Sequence, residues 1–406
     1  MSIPFHEYAG VYASDSGEPM LLSTNGQRLR YLRPQTGDYR EFRPVELDQF
    51  TAGPGTVEFE PVDIKATFQR DAAGVVTALL WEEASAVQRW TRDVSLHYEA
   101  VTFFNGDIKL AGQLVRPPGP GPHPAVVMIH GSGPAQWWQL QSFAEYFAWL
   151  GIAALIHDKR GVGGSTGDWH DLDFDALARD ALAGVDYLLT RSDFIADQIG
   201  LWGISQGGWL APLAASLSNH VKFIIPVSGP AVAPAEQELY RVEHQLRFEG
   251  FPEAAMAQAV TLYKQLLGVW RQHGEGWEQC AALIDRHRND AWLPYLIDLE
   301  QLELEKLLQI KCYDYDPLPA LRHVQCPVLA VFGGRDVYIP VEKSARLLRE
   351  TLAAAGNPDA TVVIFPDGDH EIRRSGLHGQ SSGPGFVPGY LALMRNWLRQ
   401  RLAVTH

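Results

Sequence analysis

The chain has 406 residues, enough for two or three domains around at least one large core at roughly 100–200 residues per domain. Hydrophobic residues make up 46% and charged residues 20%, an ordinary globular composition that excludes a disordered chain. Lysine and arginine number 34 against 48 acids, and the formal charge of −14 argues against nucleic acid or an anionic membrane surface as partner.

Cys280, Cys312 and Cys326 have no zinc-type spacing and are too few for a disulfide framework, so a reducing compartment is expected. Residues 1–10 carry neither the basic nor the apolar region of a signal peptide. No stretch approaches roughly 18 uninterrupted apolar residues, so no membrane span is expected and the chain reads as cytoplasmic. Twelve tryptophans is a large number, and so many indoles must pack against something or line something.

Residues 1–98 read as a separate β-domain. Segments 57–62, 64–70 and 75–81 have β character, with turn signals at 52–55 and 71–74, and their spacing predicts a small antiparallel sheet or half-barrel. No catalytic constellation is visible there. From about residue 99 the pattern changes. Short apolar runs at 125–129, 152–156, 199–202, 223–227, 328–332 and 361–365 alternate with helical stretches at 141–150, 175–190, 209–217 and 343–355. Buried strands alternating with helices predict an α/β fold with a doubly wound, mostly parallel sheet. Residues 234–315 interrupt the rhythm and contain no strand candidate. Met256, Val260, Tyr263, Leu267 and Trp270 recur there at helical spacing, and 299–308 is a second amphipathic run. This segment is expected to be a helical cap inserted into a catalytic domain formed by 99–233 and 316–406.

Gly203-Ile204-Ser205-Gln206-Gly207 matches G-x-S-x-G between a strand candidate and a helix candidate. That context is what a nucleophile elbow needs, because the serine sits on a turn so tight that the flanking positions 203 and 207 must be glycine. Ser205 then requires a base and an acid that orients the base, each in a loop after a later strand. Asp336 follows the strand at 328–332 and His370 follows the one at 361–365. Asp367 and Asp369 are rival acids beside His370, and His378 is a rival base. The glycine-rich turn His130-Gly131-Ser132-Gly133-Pro134 follows the first core strand, and its free N–H groups, that of Ser132 above all, would face an oxyanion together with the N–H of Gln206.

The run Asp158-Lys159-Arg160-Gly161-Val162-Gly163-Gly164-Ser165 lacks the G-K-[ST] of a phosphate loop. Asp171, Asp173 and Asp175 resemble the start of a calcium loop, but Ala176 and Leu182 stand where Gly and Glu are needed, so they are read as acids at a helix start. No metal and no cofactor are implied.

These motifs resemble the α/β-hydrolase superfamily over about 100–232 and 317–406, and the His130-Gly131-Ser132-Gly133 and Asp158-x-Arg160-Gly161 pair is most similar to bacterial serine esterases of the EstD type. The resemblance implies Ser205 as nucleophile, Asp336 as acid, His370 as base, and the N–H groups of Ser132 and Gln206 as an oxyanion hole. Dienelactone hydrolases carry cysteine at this nucleophile position, and dehalogenases and epoxide hydrolases carry aspartate. The amino-terminal part, through Tyr8–Tyr12, Phe50 and the segment 70–79, is similar to lipocalin-like β-domains appended to β-lactamase-like serine hydrolases. Such a domain would wall the substrate site, form a homodimer surface, or only support the hydrolase.

The expected function is hydrolysis of a small-molecule carboxylic ester without a cofactor. The alternatives are a peptidase or amidase of the prolyl-oligopeptidase kind, an acyl-thioesterase, and a fold used only for binding. Trp137 and Trp138, just after the oxyanion turn, are expected to line an apolar pocket, with cap indoles Trp270, Trp277 and Trp292 as further candidates.

Overall fold

The structure, a computed structural model, describes residues 3–56, 60–93, 96–170, 173–299, 302–374 and 385–404. Eight strands open the chain: β1 (Gly10–Ser14), β2 (Pro19–Thr24), β3 (Leu29–Arg33), β4 (Asp38–Glu46), β5 (Gln49–Ala52), β6 (Ile64–Arg70), β7 (Val76–Glu83) and β8 (Ala86–Arg92). Each pairs antiparallel with its neighbour in sequence, and β8 pairs back onto β1, so the barrel is closed. The half-barrel expected from sequence is thereby corrected: closure removes the two open strand edges that a half-barrel would expose.

The segment 57–62 is also not the strand it resembles. Residues 57–59 lie outside the described residues, and 60–63 form a connection, while β5 pairs directly with β6. Pro54 and Pro61, which cannot donate to a ladder, flank that stretch.

Side chains fill the barrel by alternation along the strands, interrupted in β7 by a bulge between Val76 and Leu79. Tyr12, Met20, Leu22, Leu29 and Tyr31 point inward and meet Phe42, Phe50, Trp81 and Trp90. Eight strands leave an interior just wide enough for side chains, and aromatic rings occupy it here. Their sequence neighbours Val11, Leu21 and Leu32 face outward yet are buried, because they join a core built around α1 (Gln141–Trp149).

The second sheet has the order β16-β15-β14-β13-β11-β12-β10-β9. Strands β11 (His123–Ile129), β12 (Ala153–His157), β13 (Phe194–Ile204), β14 (Ile224–Val227), β15 (Val328–Gly333) and β16 (Ala360–Phe365) run parallel. An antiparallel hairpin, β9 (His97–Asn105) and β10 (Ile108–Arg116), extends one edge. Helices α2 (Phe174–Leu189), α3 (Gln206–Leu217) and α9 (Val341–Ala354) cover one face, and α1 with α10 (Tyr390–Arg399) covers the other. This is the α/β-hydrolase arrangement with an amino-terminal barrel.

Between β14 and β15 lie α4 (Pro234–Phe248), α5 (Glu253–Arg271), α6 (Trp277–Arg286), α7 (Leu304–Gln309) and the short α8 (Leu318–Leu321). Leu246, Met256, Leu262, Leu267, Trp292 and Leu293 give this segment a core of its own. Among the described residues no helix is long and apolar enough to cross a membrane, and all three cysteines are free thiols.

The seam between barrel and hydrolase has one buried carboxyl at its centre. Glu145 of α1 accepts hydrogen bonds from Ser23 Oγ of β2, from Tyr98 OH of β9 at 3.0 Å, and from Gln141 Nε2 at 2.7 Å. Burial pushes its pKa up to about 7 against the pull of those three donors. In the unfolded chain the group titrates near 4.5, so between that value and about 7 only the folded state keeps the proton. Its contribution to stability therefore falls as pH rises through that window. Glu145→Gln should gain on the wild type between pH 5 and pH 8 when urea midpoints are compared; a difference that does not change with pH would refute this.

Candidate active site

Ser205 stands between β13 and α3 with φ 56° and ψ −115°, a left-handed backbone that a residue with a Cβ adopts only under constraint. The constraint is close backbone packing. A Cβ on Gly203 would collide with the Gly207 carbonyl, one on Gly207 would lie 2.5 Å from the Ile129 carbonyl oxygen, and one on Gly208 would collide with Gly229. The Ser205 N–H donates to the Val227 carbonyl at 2.9 Å, and its own carbonyl accepts from the Gly208 N–H at 2.8 Å. The strand ends of β11, β13 and β14 thus meet at this turn, and the serine is raised above the sheet.

The loops after β15 and β16 are joined in the same way. A Cβ on Gly333 would collide with the Asp369 carbonyl, and the Gly334 and Arg335 N–H groups donate to Phe365 and Gly368 carbonyls at 2.7 and 2.8 Å. This brings Asp336 against His370: Oδ2 lies 2.7 Å from Nδ1. The other carboxylate oxygen accepts the N–H of Tyr338 at 2.7 Å and that of Ile339 at 3.3 Å, so Asp336 is buried but satisfied. A carboxylate only accepts, so Nδ1 carries the proton and Nε2 keeps the lone pair. Burial opposes protonation of His370, but the charge and hydrogen bond of Asp336, with Glu371 and Asp369 nearby, outweigh it and raise the pKa above the ordinary 6.5.

The rival groups have other partners. Asp367 is ion-paired with Arg335 at 2.7 Å, and Asp369 accepts the N–H groups of Glu371 and Arg373. His378 and Asp171 lie outside the described residues. Asp173 caps the start of α2 by accepting the Asp175 N–H at 3.0 Å. His130 is buried and donates from Nε2 to the His157 carbonyl at 2.5 Å, with its pKa pushed down to about 3 by burial, so it serves the fold.

Ser132 and Gln206 flank Ser205 on the turn after β11 and at the first position of α3. Among the described residues neither backbone N–H donates to another protein group.

A cavity of about 850 Å³ lies over the carboxyl ends of the strands, and Ser132, Ser205 and His370 all line it. Its floor includes Trp138, Leu140, Phe143, Trp202 and Trp209. Trp138 is on this lining and Trp137 is not. Consecutive side chains on the 3-10 turn Trp137–Leu140 diverge, and Trp137 packs into the core around α1. Trp270, Trp277 and Trp292 pack within the helical segment and are not on the cavity wall.

Sequence reasoning missed most of the wall. Asn25, Gln27 and Arg28 reach it from the β2–β3 turn of the barrel, with Arg30 of β3 and Tyr39 of β4. Gln237, Glu238 and Arg241 reach it from α4. Arg373 lies three residues past His370, a position that could have drawn notice; the barrel residues are brought in by tertiary packing alone and have no local signal. A smaller apolar pocket of about 270 Å³, near Trp169, Tyr263 and Tyr313, contains none of Ser205, Asp336 or His370. Among the described residues no three His, Cys, Asp or Glu side chains are grouped as metal ligands.

Comparison with known proteins agrees with this architecture. Residues 120–374 match the family described as serine aminopeptidase, S33. The chain is 24% identical over 352 residues to esterase EstD of Thermotoga maritima, a span of 84% of this chain and 77% of that protein. It is 32% identical over 144 residues to thiohydrolase aneE of Aspergillus aculeatus, covering 35% of this chain and 45% of the relative. Among solved structures it is similar to the α/β hydrolase GrgF from Penicillium sp. sh18, with a TM-score of 0.51 and 18% identity over 76% of this chain and 100% of that one, a likeness of fold. The family match spans more than half of the chain and takes in Ser132, Ser205, Asp336 and His370: this chain is a hydrolase of the serine aminopeptidase S33 family.

Proposed function

We propose that the chain hydrolyses carboxylic esters through an acyl-enzyme, with Ser205 as nucleophile, His370 as base and Asp336 as the acid that orients it. The observation that carries this reading is the 2.7 Å bond between Asp336 Oδ2 and His370 Nδ1 beside a cavity that Ser205 also lines. Ser205 Oγ attacks the ester carbonyl while His370 Nε2 takes its proton. The tetrahedral oxyanion is met by the N–H groups of Ser132 and Gln206, the latter at the positive end of α3. Collapse expels the alcohol, which takes the proton from His370. Water, deprotonated by the same nitrogen, then attacks the acyl-enzyme and releases the acid with Ser205 restored.

An aminopeptidase must hold a cationic amino terminus, and the charge on the wall disfavours one. The cavity's described lining has four arginines, Arg28, Arg30, Arg241 and Arg373, against two carboxylates. Both carboxylates are engaged: Glu238 by Arg241 at 2.8 Å and Glu371 by Arg373 at 2.8 Å. Arg28 and Arg30 in turn share Glu41, at 3.6 and 3.0 Å, so the described lining leaves no carboxylate outside an ion pair to hold an ammonium, and a neutral ester suits it better. In this reading α4 is the part of the helical segment that acts as a cap, and the β2–β3 turn of the barrel is the opposing wall.

Ser205→Ala should abolish turnover of a short-chain p-nitrophenyl ester while the protein keeps its melting temperature; retained turnover would overturn the assignment. Faster turnover of an aminoacyl p-nitroanilide than of the aryl ester would favour the peptidase instead. Because the pKa of His370 is raised, kcat/KM should fall on the acid side with an inflection above 6.5. Asp336→Asn should cost on the order of 10⁴-fold in kcat and move that inflection down, since burial would then be opposed only by the charges of Glu371 and Asp369. Trp138→Ala should raise KM for aryl esters about tenfold, roughly 1.4 kcal/mol, whereas Trp137→Ala should lower the melting temperature and leave KM unchanged.

A further inference from the structure

Lys159 is buried directly beneath the turn that holds Ser132. It follows β12, and its backbone N–H donates to the Ala135 carbonyl at 2.9 Å. Its ammonium reaches back to the other end of the same turn, donating to the Gly131 carbonyl at 2.6 Å, and also to Gln206 Oε1 at 2.9 Å. Asp158 next to it accepts the Trp137 N–H at 3.0 Å. Two consecutive residues thus fasten the stretch from Gly131 to Trp137 at three points.

The carbonyl that Lys159 holds belongs to the same peptide group as the Ser132 N–H. In a planar trans peptide those two bonds point in opposite directions, so fixing the oxygen fixes the direction of the N–H. A cation on the oxygen also draws electron density toward it and makes the N–H a stronger donor. The second contact, to Gln206, steadies the residue that supplies the other N–H. Both acceptors of the ammonium are neutral, and among the described residues it forms no ion pair. An unpaired buried cation is costly to keep, and burial pushes this one down to about 8. No carboxylate contacts the ammonium among the described residues, and ester attack creates a negative charge on the far side of the same peptide.

We propose that Lys159 is a positioning residue for the oxyanion hole: it orients and polarises the Gly131–Ser132 peptide and anchors Gln206, and it acts on the transition state and not on substrate binding. The inference rests on the reading of Ser205 as nucleophile and of the Ser132 and Gln206 N–H groups as its oxyanion donors.

The test is steady-state kinetics with p-nitrophenyl butyrate on Lys159→Met, which keeps the unbranched apolar stem and removes the charge and donors. Loss of a direct oxyanion donor costs about 10²–10³-fold, so an indirect support should cost on the order of 10–100-fold in kcat with KM little changed. Inhibition by an aryl trifluoromethyl ketone, which forms the tetrahedral adduct, should weaken by the same factor as kcat/KM. Lys159→Arg should recover part of the loss. If Lys159→Met does not fold, Lys159→Gln removes the charge and shortens the side chain, so kcat should still fall, and wild-type kcat in that variant would overturn the inference. Wild-type kcat in the folded variant, or a loss confined to KM, would overturn the inference. Ser205→Ala is assayed alongside: turnover by that variant would overturn the reading of the site itself, whereas an inactive Ser205→Ala beside a fully active Lys159→Met overturns only the role of Lys159.

Discussion

The left-handed backbone at Ser205 is the constraint on which the rest of the site depends. A non-glycine residue in a strained region costs on the order of 1–3 kcal/mol and persists only where its surroundings leave no alternative. Here the surroundings are other backbones. Gly203 lies against Gly207, Gly207 against the Ile129 carbonyl, and Gly208 against Gly229, so three strand ends meet with no side chain between them. The approach that strains Ser205 also brings Gly131 beside it, where a Cβ would stand 3.5 Å from the Ser205 Cβ. One packing condition therefore sets both the exposure of the serine and its distance from the turn that carries Ser132. The Asp336 and His370 loops obey the same condition through Gly333 and Gly334.

The barrel bears on the site through its outer surface. Trp81, Trp90, Tyr8, Tyr12, Tyr31, Phe42 and Phe50 are all essentially inaccessible inside it, so its interior is a packed core and not a cup for a ligand. Its outward residues Val11, Leu21 and Leu32 belong to the same apolar cluster as α1 and α10, which makes the seam continuous with the hydrolase core. Tyr39 extends that seam to the cavity, stacking on Phe386 with ring centres 5.5 Å apart and bonding Ser142 at 3.2 Å. Arg373 lies over Tyr39 and reaches Thr56 at 3.2 Å, so the loop that carries His370 rests partly on the barrel.

The parts of this arrangement that were legible in the sequence share a physical cause. Strands β11, β12, β14 and β15 and the second half of β13 are buried and read as apolar runs, and the residues that follow them fall at the carboxyl edge by topology alone. The half-exposed strands β9 and β10 were not legible, although the half-exposed segments 64–70, 75–81 and 361–365 were. In β9 and β10 only Val101, Phe103, Leu110, Leu114 and Val115 are buried, and the hairpin merged with its surroundings. Strand β4, Asp38–Glu46, reads as a charged loop because its buried acid is paired within the fold: Asp38 meets Arg40 at 2.8 Å and Tyr31 OH at 2.9 Å. The composition of the cavity wall was illegible for a different reason. A hairpin tip such as residues 25–28 has the same local pattern wherever it points, and only long-range packing aims it at the site.

Asp158, Lys159 and Arg160 show how three adjacent buried charges are handled differently, and why their glycine-rich run imitates a phosphate loop. Asp158 accepts the N–H groups of Trp137 at 3.0 Å and Gly164 at 2.8 Å, which is the work a phosphate would do in a true nucleotide loop. Gly163 has no Cβ because Asp158 Oδ2 occupies that space. Arg160 forms a two-point pair with Asp180 at 2.7 and 2.8 Å, so its charge is balanced inside the protein. The loop thus carries its own anion, and a free phosphate would find its N–H donors taken. Lys159, between them, contacts only neutral oxygens, and both belong to the segments that face Ser205. Of the three, only Arg160 meets an opposite charge directly; Asp158 is held by backbone N–H groups, and the ammonium of Lys159 by two neutral oxygens on the segments beside Ser205.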